Sequence, residues 1–277
     1  MIAPDATQHE TLTRRFYEAD SDKFLKIRSR PYRNWGYWAS GAASIDEACA
    51  AMMDRAVDCA EVGGEHDVLD VGCGFGMSSA HILKRAGCRS VVGIDLSGPG
   101  IEHAREAYAG ARLTYEQMSA TRMSFPGASF DRVIAVDCAS HFETRDVFFQ
   151  EAHRVLRPGG RLAIVDVSEG RPCEGAVFRA VKGWLMGYWR LPPGNRYGPE
   201  EYRARVAAAG FSEVAVVSIG DDVFPRAFDF FLGEGYVRRV SEIYGLKKRL
   251  LWQQMMRLVR AMYRRRYIDF LQVTARR

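Results

Sequence analysis

Two carboxylates and a run of glycines lie close together in the first half of the chain. Residues 68–76 read VLDVGCGFG, a short apolar run that contains Asp70 and ends in a glycine-rich segment. Residues 91–94 form a second apolar run, which Asp95 closes. A buried strand, a tight turn that lets a ligand approach the backbone, and a carboxylate after the next strand form a nucleotide-binding site. The spacing therefore predicts an α/β protein that binds a nucleotide.

The glycine spacing argues against a dinucleotide. The dinucleotide fingerprint has glycines at its first, third and sixth positions, and a helix N-terminus holds the pyrophosphate. Here the glycines are Gly72, Gly74 and Gly76, and Met77 stands at the sixth position. Asp70, just before the turn, would repel a pyrophosphate. A nucleotide without phosphate and with a positive centre fits these residues better, although the glycines alone leave other α/β nucleotide-binding proteins open.

The D-x-G-x-G pattern resembles motif I of the class I methyltransferases that depend on S-adenosyl-L-methionine (SAM). Residues 129–137 (SFDRVIAVD) and 151–167 (EAHRVLRPGGRLAIVDV) are similar to the central motifs of the small-molecule branch of that family. The branch includes tocopherol and ubiquinone C-methyltransferases, sterol methyltransferases and O-methyltransferases of glycosylated antibiotics. The resemblance is strong over residues 68–167 and looser on either side. It implies SAM as the cofactor and S-adenosyl-L-homocysteine as its product.

The resemblance also implies which residues hold the cofactor. Gly72, Cys73 and Gly74 are expected to contact the methionine and ribose parts of SAM, and Asp95 to accept hydrogen bonds from the ribose hydroxyls. Asp70 is expected to face the methionine amino group. The other expected contacts are Leu96 on the adenine ring, Met118, Ser119 and Ala120 at the adenine edge, Asp137 and Cys138 beside the sulfonium, and Tyr17 and Tyr37 in an N-terminal lid. Many relatives have aspartate where Ser119 stands, and plain packing is the alternative role for the two tyrosines.

His141 is the candidate general base. It follows the third buried strand by four residues (Asp137 to His141), so it can lie at the carboxyl edge of the sheet, where α/β proteins bind ligands. A histidine with a pKa near 6.5 can accept a proton at neutral pH. Asp166 ends the next strand and is expected to orient His141 or to bind the acceptor hydroxyl. Glu169 is the rival base, especially if a carbon atom is methylated.

The composition sets limits on the class of protein. A chain of 277 residues with 47% hydrophobic residues can bury one large core and a lid. No run of eighteen apolar residues or secretory h-region occurs, and the six cysteines lack paired spacing, so we expect a cytoplasmic protein with reduced thiols and no membrane span. No cluster has the spacing of a metal site. The basic segments 247–249 and 264–266 indicate a solvated helix face rather than a nucleic-acid surface, while an acidic acceptor and a homo-oligomer stay open.

Strands and helices alternate along the middle of the chain, which predicts a parallel sheet with helices on both faces. The resemblance adds a Rossmann-like seven-stranded sheet of order 3-2-1-4-5-7-6 with its last strand antiparallel. We predict a helical lid in residues 1–60, the SAM-binding core in residues 61–170, and acceptor-binding helical insertions with the last two strands in residues 171–277.

The added helical segments are rich in large apolar side chains. These are Trp184, Tyr188, Trp189, Phe228, Phe230, Phe231, Trp252, Met255 and Met256. They form either core or the lining of an acceptor pocket, and the second interpretation implies a lipophilic small molecule as the acceptor. The resulting hypothesis is methyl transfer to a secondary metabolite, with oxygen favoured over carbon. A protein that binds SAM but catalyses another reaction, such as a cyclisation, is the alternative.

Overall fold

A computed structural model describes residues 6–28 and 30–277 of the chain. Seven strands form one sheet in the order β3-β2-β1-β4-β5-β7-β6, which confirms the expected topology. The strands are β1 (Asp67–Val71), β2 (Ser90–Asp95), β3 (Leu113–Gln117), β4 (Phe130–Val136), β5 (Leu156–Glu169), β6 (Ser212–Ser218) and β7 (Ile268–Arg276). The strands β1 to β5 pair in parallel, and β7 runs antiparallel between β5 and β6.

The helices cover both faces of the sheet, as the alternation predicts. They are α1 (Gln8–Glu18), α2 (Ser21–Ile27), α3 (Ile45–Cys59), α4 (Met77–Ala86), α5 (Gly98–Tyr108), α6 (Arg145–Val155), α7 (Ala176–Tyr188), α8 (Pro199–Ala208), α9 (Gly220–Leu232), α10 (Glu234–Tyr244) and α11 (Leu246–Arg264). Alternate residues of one strand enter the two cores, because successive side chains of a strand point to opposite faces. Ile134 packs with α3 and α9 on one face, and Val133 packs with α6 and α8 on the other.

The segment Pro158-Gly159-Gly160 lies within a strand, although its residue types are typical of a turn. Strand β5 already begins at Leu156 and continues through this segment. Its register against β4 shifts there, from Phe130 opposite Leu156 to Arg132 opposite Arg161. Gly159 takes a positive φ of 78°, which lets the strand bulge without ending.

The helical insertion before β7 begins with α9 at Gly220 and contributes to the core. Phe228 and Phe231 are buried there and pack edge-on against Trp35 from the N-terminal segment. Core packing is therefore the outcome for this cluster. In the part of the chain that is described, no helix is long and apolar enough to cross a membrane.

Candidate active site

The carboxyl ends of β1, β2 and β4 open into one pocket. It encloses about 830 Å³, open solvent at its mouth included, and α1 covers it with Thr13, Arg14 and Tyr17. A smaller pocket of about 350 Å³ adjoins it and shares Gly72 and Gly74 with it. The glycine turn therefore forms the floor of an elongated site, as the sequence predicts for a ligand that approaches the backbone.

Only glycine fits at the centre of this turn. Gly72 has a φ of 74°, and a Cβ added there would lie 2.7 Å from Sγ of Cys138. Gly74 has a φ of 57°, and the nearest atom to an added Cβ would be Cδ of Arg33 at 3.9 Å. Since Gly74 lines the pocket, a side chain there would occupy the space of the ligand. Because glycine has no side chain, it permits the left-handed backbone conformation and leaves room for the ligand.

Asp95 is fixed by the main chain. One carboxylate oxygen accepts from the N–H of Gly74 at 2.9 Å, and the other from the N–H of Ser97 at 2.8 Å. Burial raises the pKa of Asp95, and these two bonds oppose the rise. Each oxygen still has a lone pair, and Asp95 and Leu96 both line the larger pocket. This arrangement fits a pair of ribose hydroxyls.

Asp70 and Arg33 lie at the smaller pocket. Oδ2 of Asp70 accepts from the hydroxyls of Ser78 and Ser79, both at 2.6 Å, and burial raises the pKa of Asp70 to about 6. The Arg33 guanidinium lies 4.5 Å from the ring centre of Phe24 and 4.6 Å from that of Phe75.

Arg33 lacks a carboxylate partner within the described residues, and its buried Nε has no hydrogen bond. An amino acid tail carries an ammonium and a carboxylate, so the pair Asp70 and Arg33 fits the methionine end of SAM. The sequence analysis missed Arg33. Arg33 is the one cationic residue in the aromatic segment 31–38, and this isolation could have indicated a ligand-binding role.

The adenine-edge loop is tied to α1 by a second missed residue, Glu10. Its carboxylate accepts from the hydroxyls of Ser119 at 2.5 Å and Thr121 at 3.2 Å, and pairs with Arg122 at 2.6 Å. Although burial acts to raise the pKa of Glu10, these partners hold it below its ordinary value. Met118 and Ala120 line the larger pocket as expected. The hydroxyl of Ser119 turns to Glu10, so its contact with adenine stays a prediction.

Tyr17 and His141 contact each other in the pocket wall. The hydroxyl of Tyr17 lies 2.7 Å from Nε2 of His141. Burial lowers the pKa of His141 to about 4, below the 6.5 that we expected, so the imidazole is neutral at pH 7. Burial raises the pKa of Tyr17, so the phenol keeps its proton. Tyr17 therefore donates to Nε2, which assigns the ring proton to Nδ1, a buried atom that has no hydrogen-bond partner among the described residues.

A buried amide holds the segment that carries His141. Nδ2 of Asn195 donates to the carbonyls of Ser140 at 3.0 Å and Phe142 at 2.7 Å. Its Oδ1 accepts from the N–H of Arg145 at 2.9 Å. Asn195 is thus a positioning residue that the sequence analysis also missed, because it lies in a short turn far from the motifs.

Asp166 does not orient His141, which corrects the prediction. The side chain is fully buried, and Nε and Nη2 of Arg145 donate to its Oδ2 at 3.1 and 2.9 Å. Its Oδ1 accepts from the N–H of Val167. The carboxylate is therefore occupied by a buried ion pair, and it cannot reach an acceptor hydroxyl in the pocket.

Glu169 and Tyr37 also lie away from the pocket, contrary to expectation. Glu169 pairs with Nζ of Lys182 at 3.1 Å. The hydroxyl of Tyr37 contacts Arg55 and Asp222, and the Arg55 guanidinium covers its ring. The chain turns at Gly36, where φ is 79° and Ala48 is in close contact, so Tyr37 points toward α3 and α9.

Asp137 and Cys138 line the larger pocket, as predicted, and Cys73 lines the smaller one. Asp137 has a positive φ of 57°, and its N–H donates to Val165. Burial and the nearby charge of Asp166 raise the pKa of Asp137 well above its ordinary value. The thiol of Cys138 donates to the carbonyl of Val71 at 3.1 Å.

Residues 69–164 match the family described as Methyltransferase domain. The chain is similar to the erythromycin 3''-O-methyltransferase of Saccharopolyspora erythraea, with 31% identity over 245 residues that cover 82% of this chain and 78% of that protein. It is also similar to the methyltransferase GfsG of Streptomyces halstedii, with 33% identity over 246 residues that cover 83% and 86% of the two chains. Among solved structures, the mycolic acid cyclopropane synthase CmaA1 complexed with SAH and CTAB superposes with a TM-score of 0.83 at 19% identity, covering 99% of this chain and 100% of the other. At this identity the likeness concerns the fold.

Proposed function

The chain belongs to the class I SAM-dependent methyltransferases, and we propose that it methylates a hydroxyl group of a small lipophilic metabolite. SAM is its cofactor, and S-adenosyl-L-homocysteine is the product. When bound, SAM supplies a methyl group on a positively charged sulfur, so the leaving group needs no further activation. The protein then has to hold two reactants in line and to remove a proton from the acceptor.

The cofactor half of the proposal rests on three charged side chains and the glycine turn. We assign the ribose hydroxyls to Asp95, the methionine ammonium to Asp70 and the methionine carboxylate to Arg33. Leu96, Met118 and Ala120 line the pocket where adenine would lie. Such positioning contributes about 7–11 kcal/mol in well-aligned intramolecular reactions, so orientation is the main catalytic effect that we expect.

The contact between Tyr17 and His141 is the observation that supports an oxygen acceptor best. A hydroxyl loses its proton on methylation, and a general base contributes about 10²–10⁴-fold to such a step. The lone pair of Nε2 in His141 is occupied by the Tyr17 hydroxyl at 2.7 Å. We therefore propose that the two act as a unit: the Tyr17 oxygen takes the acceptor proton while its own proton moves to Nε2.

A series of aromatic rings from the pocket to the surface supports a lipophilic acceptor. Phe16 is 5.3 Å from Tyr17 and 5.8 Å from Tyr188, measured between ring centroids, and Tyr188 is 5.9 Å from Trp184. Tyr188 and Trp184 are 38% and 52% exposed. Exposed apolar patches of this kind often mark ligand-binding surfaces. The similar protein of Saccharopolyspora erythraea is named an erythromycin 3''-O-methyltransferase, and we propose for this chain an acceptor whose apolar body lies on these rings.

The division of the chain follows from this proposal. We assign residues 1–60 to the lid, residues 61–170 to the cofactor, and residues 171–277 to the acceptor and the last strands of the sheet. Residues 8–18 and 176–188 would then meet the acceptor from opposite sides of the pocket mouth.

A labelled-methyl assay tests the function. The purified protein is incubated with SAM that carries a labelled methyl group and with a panel of hydroxylated macrolides, polyketides and glycosides. We expect label in a product whose new methyl group is bound to oxygen. His141→Ala should lower turnover at least tenfold, with unchanged SAM affinity, and His66→Ala at the opposite edge of the sheet serves as the control.

Two results would contradict the proposal. Label on carbon would favour a C-methyltransferase. Turnover of an acceptor that requires SAM but transfers no label would favour the alternative of a SAM-binding protein with another reaction, such as a cyclisation.

A further inference from the structure

Of the acidic side chains Asp95, Asp137 and Asp166, which lie on neighbouring strands or directly after them, Asp137 alone lacks a strong hydrogen-bond or ion-pair partner among the described residues. Asp95 accepts two main-chain hydrogen bonds, and Asp166 pairs with Arg145. Asp137 receives a single hydrogen bond from the backbone of Trp35, and no lysine, arginine or histidine of the described chain pairs with it. A pocket-lining residue whose carboxyl group has no cationic partner in the protein can pair with a positive charge on a bound ligand.

Asp137 lines the larger pocket from an unusual backbone conformation. Its φ of 57° lies in the left-handed region, which aspartate and asparagine tolerate better than most residues. The residue follows the end of β4, and its N–H donates to Val165 of β5. An observed backbone outlier in a ligand pocket is a sound starting point for a functional hypothesis.

The groups around Asp137 disfavour its charged form in the absence of a ligand. Asp166 faces it from β5, Tyr17 from α1, and Cys49 from α3, and Cys138 follows it in the chain. Each of these groups is an acid or neutral. Burial and the Asp166 charge raise the pKa of Asp137 well above its ordinary value, which favours the neutral carboxyl. A positive charge in the pocket would favour the ionised carboxylate instead.

We infer that Asp137 distinguishes the positively charged sulfonium of SAM from the neutral thioether of the product, by releasing its proton to solvent when SAM binds. The inference rests on SAM as the cofactor. In the binding step, the neutral carboxyl of Asp137 and the sulfonium cation form an ion pair, and one proton is released to solvent. After transfer the cation is gone, so the carboxylate regains a proton, and the neutral product loses the ion pair that held its precursor. Asp137 is thus the residue that favours exchange of spent for fresh cofactor.

Calorimetry in two buffers of different ionisation enthalpy measures this proton directly. The wild-type protein is titrated at pH 7 with SAM and, separately, with S-adenosyl-L-homocysteine. We expect SAM to release about one proton more per site than the product does. An analogue with an ammonium group in place of the sulfonium should behave like SAM, because only the charge matters.

Asp137→Asn is the decisive variant. Asparagine keeps the size of the side chain and tolerates the same φ, but it cannot ionise. The excess proton release should vanish, and SAM affinity should fall about tenfold or more, with product affinity unchanged or higher. Asp95→Asn is the matched control, since a ribose contact weakens both ligands by the same factor and leaves the difference in proton release intact.

The outcomes separate the inference from the proposed function. Equal proton release for the two ligands in the wild type, or equal loss of both affinities in Asp137→Asn, would overturn the inference. If Asp137→Asn does not fold, the wild-type comparison alone decides. Failure of both ligands to bind would instead refute the cofactor assignment, and no acceptor enters the experiment.

Discussion

Asp95 and His141, which lie on two sides of the active site, are held by different kinds of bonds. On the cofactor side, the Asp95 carboxylate is fixed by the N–H groups of Gly74 and Ser97, which belong to the turns that follow β1 and β2. On the acceptor side, His141 is held by side chains. Tyr17 contacts its ring, and Asn195 donates to the carbonyls of the two neighbouring residues, Ser140 and Phe142. Main-chain geometry depends on the fold and on glycines, so it is carried by a short motif. Side-chain contacts between distant segments can change from one acceptor to another while the cofactor site stays the same.

The largest expected effect concerns the buried ion pair behind the acceptor side. Arg145→Leu leaves Asp166 buried without a cation, so the free energy of unfolding should fall by about 3–5 kcal/mol in urea titrations. Lys248→Ala, which breaks an exposed pair with Asp20, should change it by less than about 1 kcal/mol. The double variant Arg145→Leu, Asp166→Leu should recover most of the loss. Equal stability of Arg145→Leu and wild type would show that side chains do not hold this side.

A main-chain change should affect the cofactor side most. Gly72→Ala places a Cβ 2.7 Å from Sγ of Cys138 at a φ of 74°, so SAM affinity should fall about a hundredfold, or about 2.7 kcal/mol. Gly87→Ala is the matched control, because its φ is 61° and no atom lies within 4 Å of an added Cβ. It should cost about 1 kcal/mol of stability and leave SAM affinity unchanged. A similar loss of affinity in both variants would mean that SAM affinity depends on backbone strain in general and not on the shape of the glycine turn.

A side-chain change should affect the acceptor side alone. Tyr17→Phe removes the hydroxyl that contacts Nε2 of His141, so kcat should fall at least tenfold while the Kd for SAM changes by less than about twofold. Steady-state kinetics and calorimetry on the same preparation measure both values. Parallel losses in kcat and in SAM affinity would place Tyr17 in the cofactor site and would weaken the distinction between the two sides.

The smallest net effect on the wild-type protein is a pH dependence of stability, because the two sides contribute with opposite sign. Burial lowers the pKa of His141 to about 4, so its contribution to stability is full above the unfolded value near 6.5 and is lost as the pH falls toward 4. Burial raises the pKa of Asp70 to about 6, so its contribution is full below the unfolded value near 3.8 and is lost as the pH rises to 6.

The two contributions therefore oppose each other between about pH 4 and 6, each by at most about 1.4 kcal/mol per pH unit. Urea unfolding of His141→Gln across this range should show less loss of stability at low pH than the wild type shows. Asp70→Asn should show the reverse. Identical pH profiles for all three proteins would contradict the burial of both groups.

The sequence signals for the cofactor side are local, and the structure brings the residues that they point to into adjoining pockets. The glycine turn, Asp70 and Asp95 lie within one strand–turn–helix–strand unit. The resemblance supplied the strand order. Neither signal reaches Arg33 or Glu10, whose roles depend on where α1 and the segment after it rest on the sheet.

The acceptor side could not be predicted because its contacts are between distant segments. Tyr17 and His141 are 124 residues apart, and each was assigned a role without the other. Asp166 lies within β5, which continues to Glu169, and not at the end of the strand as expected, and Arg145 of α6 occupies its carboxylate. Tyr37 lies in the expected segment, but the turn at Gly36 points it away from the pocket. A residue's position in a motif does not fix its partner.

Glu10 joins the first helix of the described chain to the adenine-edge loop. The same helix supplies Thr13, Arg14 and Tyr17 to the covering of the pocket. Loss of the Glu10 carboxylate would therefore loosen the covering of the pocket as well as the loop that carries Ser119 and Thr121.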